Sequence, residues 1–213
     1  MRFLPWRRSA PHTHLAVPWR DAAYCVVDLE TTGLDLRRDE VVSFGTVIIR
    51  KGRIHCGSAR YSRVRPPRKV TVGAMSVHGM RDQDLASAPS LREVAPGLRA
   101  ELGGRVLVAH AAWVERAFIG RALGGSGRYM APTIDTAALA RAIGVAPSGT
   151  GYEPDIEAMA GDLGLYPHTP HHALGDALTT AEVFLALVSR IEGEKGPVSA
   201  AELVAISRRH TLT

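Results

Sequence analysis

Cysteine is almost missing from this 213-residue chain. The two present, Cys25 and Cys56, make no Cys-x-x-Cys pair, which excludes a thiolate metal site or a disulfide-stapled scaffold. Both lie in apolar, strand-like stretches and read as buried thiols in a reducing cytoplasm, with a single disulfide left open by the spacing. No apolar run approaches the ~18 residues of a membrane span, so no bilayer-crossing helix is expected. Aromatic residues make up 6% of the chain, yet 46% is hydrophobic, enough for one globular domain with a real core. The early arginines (Arg2, Arg7, Arg8) precede no apolar stretch of the kind a secretory signal needs. Residues 1–21 are therefore expected to form a poorly ordered basic arm, ahead of a domain over 22–192 and a helical extension over 193–213.

Acidic residues are missing from one stretch altogether. Between Arg50 and Lys69 the chain carries Arg50, Lys51, Arg53, Arg60, Arg63, Arg65, Arg68 and Lys69 and no Asp or Glu, within a formal net charge of +5. So one-sided a stretch fits a polyanionic substrate, with a solvated, arginine-decorated hairpin as the competing explanation.

What is present organises around Tyr24–Leu34. The apolar run Tyr24-Cys25-Val26-Val27 leads into Asp28 and Glu30, and Thr31-Thr32-Gly33 then break the pattern, as at the end of a buried strand. Alternation puts Asp28 and Glu30 on one face, about 6.6 Å apart along the chain. Two carboxylates so placed repel one another unless a cation lies between them, and hard ions such as Mg²⁺ or Mn²⁺ favour such oxygens.

Further along, Glu40–Ile49 and Arg53–Arg63 read as strands joined at Lys51-Gly52, ended by Pro66-Pro67. Short helical turns are expected around His78-Gly79. Ser90 and Glu93 have capping-box spacing before a helix that either kinks or starts at Pro96. A fourth strand over Arg105–Ala109 precedes a helix to Leu123 with Trp113, Ala117 and Phe118 inward. Thr133–Asp135 forms a fifth strand, followed by a helix through Ile143 and a loop over 144–152. A helix over Ile156–Leu163 ends at Gly164. A long helix follows with Leu174, Ala177, Leu178, Ala181, Phe184, Leu185 and Val188 as its inner stripe, and a last one opens at Ser199. The order of elements gives an α/β fold with a mixed sheet.

A second chemical block, His171-His172-Ala173-Leu174-Gly175-Asp176, sets a histidine in a loop and an aspartate in the first turn of the long helix. There the helix dipole favours the ionised acid. Asp-x-Glu-Thr-Thr-Gly, His110-Ala-Ala followed by Phe118-Ile119, and His-x-x-x-x-Asp resemble, in this order, the three signature blocks of the DEDDh 3′-to-5′ exonucleases. These include the proofreading subunit of bacterial DNA polymerase III, ribonuclease T and oligoribonuclease. The resemblance covers about residues 22–192 and implies a ribonuclease H-like fold with a five-stranded mixed sheet, its first three strands antiparallel. It implies metal ligands at Asp28, Glu30 and Asp176, a general base at His171, a terminal nucleotide beside Thr31 and Leu34, and a weaker substrate element at His78. The middle block departs from the family's His-Asn-Ala-x-Phe-Asp: Ala111 replaces the Asn, and Glu115 must stand in for the fourth carboxylate. Its extra methylene would alter contact with a second metal or shift preference from Mg²⁺ toward Mn²⁺.

The expected activity is release of nucleoside 5′-monophosphates from a DNA 3′ end by a two-metal mechanism. Asp28 bridges both ions, Glu115 helps place the second, and Arg63, Arg65 and Arg68 contact phosphates. Action on RNA 3′ ends, or a non-catalytic nucleic-acid-binding module, are the rival readings. The tail Arg208–Thr213 lacks a Gln-plus-aromatic clamp-binding pattern, so a polymerase partnership is left unproven beside a free-standing exonuclease.

Overall fold

The computed structural model describes residues 13–124, 129–147 and 153–211. Its five strands are β1 (Ala23–Thr31), β2 (Val41–Arg50), β3 (Arg53–Arg63), β4 (Val106–Ala109) and β5 (Thr133–Asp135). The helices are α1 (Val72–His78), α2 (Asp82–Leu85), α3 (Leu91–Leu102), α4 (Ala112–Ala122), α5 (Thr136–Ala142), α6 (Ile156–Asp162), α7 (Ala173–Lys195) and α8 (Ala200–His210). The strands form one sheet in the order β3-β2-β1-β4-β5. β1 to β3 are antiparallel, and β1, β4 and β5 run parallel, which is the mixed sheet expected. The hairpin turn falls on Lys51-Gly52 because both residues adopt positive φ, 51° and 64°, matching the twist of the flanking strands.

Alternation along β1 divides the core. Tyr24 and Val26 face α7 and α8 and pack with Phe184, Leu187, Ile191 and Leu203. Cys25, Val27 and Leu29 face the opposite side, where Leu98, Leu102, Phe118 and Ile119 of α3 and α4 cover them. Ser90 and Glu93 form the expected capping box, and α3 begins at Leu91 with Pro96 inside it.

Several expectations are corrected. Residues 13–21 are not a loose arm: Trp19 is buried, its N–H donates to the Val198 carbonyl, and its ring meets Phe184 edge-on at 6.4 Å. Residues 1–12 lie outside the described residues. α8 is no appendage either, since Leu203, Val204 and Ile206 enter the main core and the Ser207 hydroxyl accepts from the Asp135 N–H. Cys56 is exposed, because β3 is an edge strand. Trp113 is only half-buried. The buried face of α7 is rotated toward Thr180, Val183, Leu187 and Ile191, leaving Leu174, Leu178 and Leu185 half-buried. Of the loop at 144–152, residues 148–152 lie outside the described residues, as do the last two of the tail. No described helix is long and apolar enough to cross a membrane.

Candidate active site

β4 pairs with β1 as far as Val26–Val108, and β1 runs on through Asp28 and Glu30 to Thr31; from these strands the chain departs to α4 and to β2. Such a switch point at the C-terminal ends of parallel strands leaves a crevice open to ligand. Asp28 and Glu30 continue the face of Tyr24 and Val26, the one covered by α7.

Gly45 brings that helix in. It pairs with Asp28 across the β1–β2 ladder, and a Cβ there would lie 2.3 Å from the Ala173 carbonyl oxygen and 2.4 Å from the Leu174 nitrogen. Only glycine lets the first turn of α7 rest on β2 beside Asp28. Within that first turn, a Cβ on Gly175 would fall 2.5 Å from the Thr169 carbonyl oxygen, so the loop before α7 folds back over the same turn. Asp176 is thereby delivered to the end of β1. One carboxylate oxygen each from Asp28, Glu30 and Asp176 lie within 4.8 Å of one another.

Glu115, in the first turn of α4, is buried, and its Oε2 finds no hydrogen-bond partner among the described residues. Its charge bears on Asp28, although Glu115 stands outside the three acids whose oxygens lie within 4.8 Å of one another. Burial first, and mutual repulsion second, pushes these carboxyls up. Asp28 is raised well above the ordinary value by burial and then by Glu115, Asp176 and Glu30. Glu30 is pushed up to about 8 by burial and by Asp176. Asp176 rises to about 6 through burial, opposed by the charge of His171 and by backbone N–H groups at His171 and His172. Burial also raises Glu115, with Asp135 and Glu30 adding to it. An all-oxygen donor set whose members raise each other's pKa, with one orphaned buried oxygen, fits hard divalent cations.

His171 stands at the rim with its side chain half exposed, in the left-handed region at φ 57°, with Nε2 3.8 Å from Oε1 of Glu157 on α6. The loop is anchored by the His168 N–H on the Thr179 hydroxyl at 2.9 Å and by the His172 ring stacked on Tyr61 at 4.4 Å. His78 binds back to β1: its Nδ1 accepts from the Met80 N–H, so Nε2 donates to the Thr31 carbonyl at 3.2 Å. Burial lowers its pKa, against the pull of the Thr31 carbonyl. The Thr31 hydroxyl donates to the Gly33 carbonyl, and a Cβ on Gly33 would meet Asp39 Oδ2 at 2.5 Å. Leu34 then stands 72% exposed beyond this turn.

A cleft of about 310 Å³ is lined by Ser43, Tyr61, Arg63, His78, His171 and His172, among others. Arg65 and Arg68 do not line it. Their Nη1 atoms donate to the Ala86 and Arg38 carbonyls, and Arg68 lies 3.6 Å from Asp39. Sequence reasoning missed Gly45, Glu157, Tyr61 and His172. A glycine inside the apolar run Val41–Ile49 was the one local signal available, since such a residue marks close backbone approach. His110 sits apart from the acids in role: its ring bonds to the Thr136 hydroxyl and the Pro154 carbonyl.

The family described as exonuclease, with ribonuclease T in its name, matches residues 25–184. The chain is 32% identical over 176 residues to the PolC-type DNA polymerase III of Thermotoga maritima, covering 81% of this chain and 12% of that one. It is 31% identical over 197 residues to a DNA polymerase III subunit epsilon-like protein of Rhodobacter capsulatus, covering 91% and 27%. The chain thus spans about an eighth to a quarter of these relatives. Among solved structures, exonuclease X in complex with 5′ overhanging duplex DNA superimposes with a TM-score of 0.65 at 26% identity, covering 86% of this chain and 99% of that one. Escherichia coli exonuclease I in complex with a dA16 oligonucleotide gives 0.66 at 13% identity, covering 79% and 41%, a likeness of fold. The chain belongs to the ribonuclease T-type exonuclease family.

Proposed function

We propose that this protein removes nucleotides one at a time from the 3′ end of single-stranded or frayed DNA, releasing nucleoside 5′-monophosphates. The convergence of Asp28, Glu30 and Asp176 within 4.8 Å carries the reading, since these acids come from opposite ends of the chain and nothing in folding alone favours their meeting. The exonuclease family and the DNA bound to exonuclease X support the substrate class.

Asp28, Glu30 and Asp176 would hold one divalent cation, Mg²⁺ or Mn²⁺, and Asp28 with Glu115 a second. When bound, such ions supply stabilisation of charge on the attacking and leaving oxygens. The chain's own residues do the rest. The His171 imidazole, exposed at the cleft, takes the proton of the attacking water, and Glu157, 3.8 Å from Nε2, faces the imidazolium so formed. The His78 Nε2–H on the Thr31 carbonyl fixes the backbone against which the terminal nucleotide lies. Leu34 offers an exposed apolar surface to its base.

Digestion of 3′- and 5′-labelled single-stranded DNA and RNA of matched sequence, with Mg²⁺ or Mn²⁺, tests this. The 5′-labelled DNA should give a descending ladder, and Asp28→Asn should give none while keeping a native circular dichroism spectrum. An Asp28→Asn protein as active as the parent refutes the site. Preferential loss of RNA refutes the substrate class and leaves the chemistry standing.

A further inference from the structure

The basic residues of the 50–69 stretch divide between two clefts. Arg63 lines the cleft of the carboxylate site, whereas Arg65, Arg68 and Lys69 line a separate cleft of about 390 Å³. α2 stands between them, with Asp84 bordering the first and Leu85 the second. Arg63 Nη1 donates to the Asp84 carbonyl at 3.5 Å and Arg65 Nη1 to the Ala86 carbonyl at 3.3 Å, so the chain leaving β3 runs along this single helical turn. Two residues of extended chain, about 6.6 Å, separate Arg63 in the first cleft from Arg65 in the second. The acids of α2 are already engaged: Asp84 is held by Arg81 Nε at 3.0 Å, and Asp82 accepts from the Val70 N–H at 3.0 Å. Among the described residues, Asp82 is the one carboxylate lining the second cleft and Arg68 is paired with Asp39, so Arg65 and Lys69 carry the excess positive charge of that cleft.

We infer that this second cleft is a subsite for backbone phosphates of the strand being degraded, upstream of its 3′ end. The inference rests on the nuclease reading and specifies its substrate: strands long enough to cross α2, in preference to dinucleotides. Guanidinium forks and an ammonium match phosphate oxygens, while Pro66 and Ala86 give the sugars an apolar wall. No base-reading group is involved, so the contact is indifferent to sequence.

Arg68 also braces the turn after β1 through Asp39, so the test leaves it in place. Arg65→Gln with Lys69→Gln is introduced into active protein and into Asp28→Asn protein. Binding of the latter to a 5′-fluorescein single-stranded 12-mer is followed by anisotropy at several salt concentrations in Mg²⁺, and hydrolysis of a dinucleotide and of the 12-mer is followed with the former. The double variant should bind the 12-mer more weakly, with a salt slope shallower by about 1.4, two charges at ~0.7 each for a single strand. Its kcat/KM on the dinucleotide should match the parent's, while the advantage of the 12-mer shrinks. An unchanged slope and an unchanged length advantage would overturn the subsite with the nuclease reading intact. A loss confined to the same 12-mer in duplex form would overturn its assignment to the degraded strand. Parent protein that hydrolyses neither oligonucleotide would overturn the nuclease reading and this inference with it.

Discussion

Replacing Glu30 with glutamine should make the cation-free protein more stable while abolishing its activity, and the gain should depend on pH in one direction only. Glu30 is raised from 4.5 to about 8 by burial and by Asp176. Below pH 4.5 the folded and unfolded forms both hold the proton, and the residue is neutral toward folding. Between about 4.5 and 8 the unfolded chain ionises first, so each rise in pH draws the equilibrium toward unfolding. At ~1.4 kcal/mol per unit, the shift corresponds to an upper figure on the order of 5 kcal/mol once pH exceeds 8. Glu30→Gln removes this slope. Urea unfolding in EDTA at pH 5, 7 and 9 should show parent and variant nearly equal at the acid end and the variant ahead by a few kcal/mol at the alkaline end. Adding Mn²⁺ at about a hundred times its dissociation constant should restore ~2.7 kcal/mol to the parent and much less to the variant. A cation-free parent whose stability is flat or rising from pH 5 to 9, or a variant weaker than the parent at pH 9, would refute the electrostatic account.

His171→Ala should lower kcat by about 10²-fold or more at pH 8; a loss below threefold in a steady-state assay moves the base role elsewhere. Gly45→Val forces a side chain into the Ala173 carbonyl, so unfolding should show a loss of about 1–3 kcal/mol. Since that contact sets Asp176 against Asp28, activity should fall by about 10²-fold, as for a 1 Å misplacement, and calorimetry should show weakened Mn²⁺ binding. If metal affinity is unaltered in a folded Gly45→Val protein, the glycine is not what places Asp176. Glu115→Asp, which retracts the carboxylate by one methylene, should raise the ratio of Mg²⁺- to Mn²⁺-supported kcat; an unchanged ratio means that the longer side chain does not set metal preference.

The candidate acids and histidine stood out as short spacings, and their roles followed from the resemblance to the three exonuclease signature blocks. Asp28 and Glu30 share a face through the period of a strand, His171 and Asp176 span a loop and a first helical turn, and the capping boxes at Ser90 and Ser199 mark helix starts. Glu115 was named as the stand-in for the fourth carboxylate that the resemblance implies, as the one acid between Glu101 and Asp135; it is buried, and its charge bears on Asp28. Other residues gave no local sign. Trp19, among prolines and arginines, is buried only because Phe184 and the Val198 carbonyl come to it from the far end of the chain. Cys56 looks like Cys25 in a hydrophobicity pattern and differs because one strand is central and the other is an edge.

By itself, then, the amino-acid order determined the five strands, the main helices and the capping boxes at Ser90 and Ser199, since these follow from interactions a few residues long. Tertiary structure alone decided that α7 descends onto Gly45, that His172 stacks on Tyr61, and that Arg63 parts company with Arg65 and Arg68 across α2. Those are contacts between segments distant in sequence, and close packing of two surfaces fixes them, which no local period encodes.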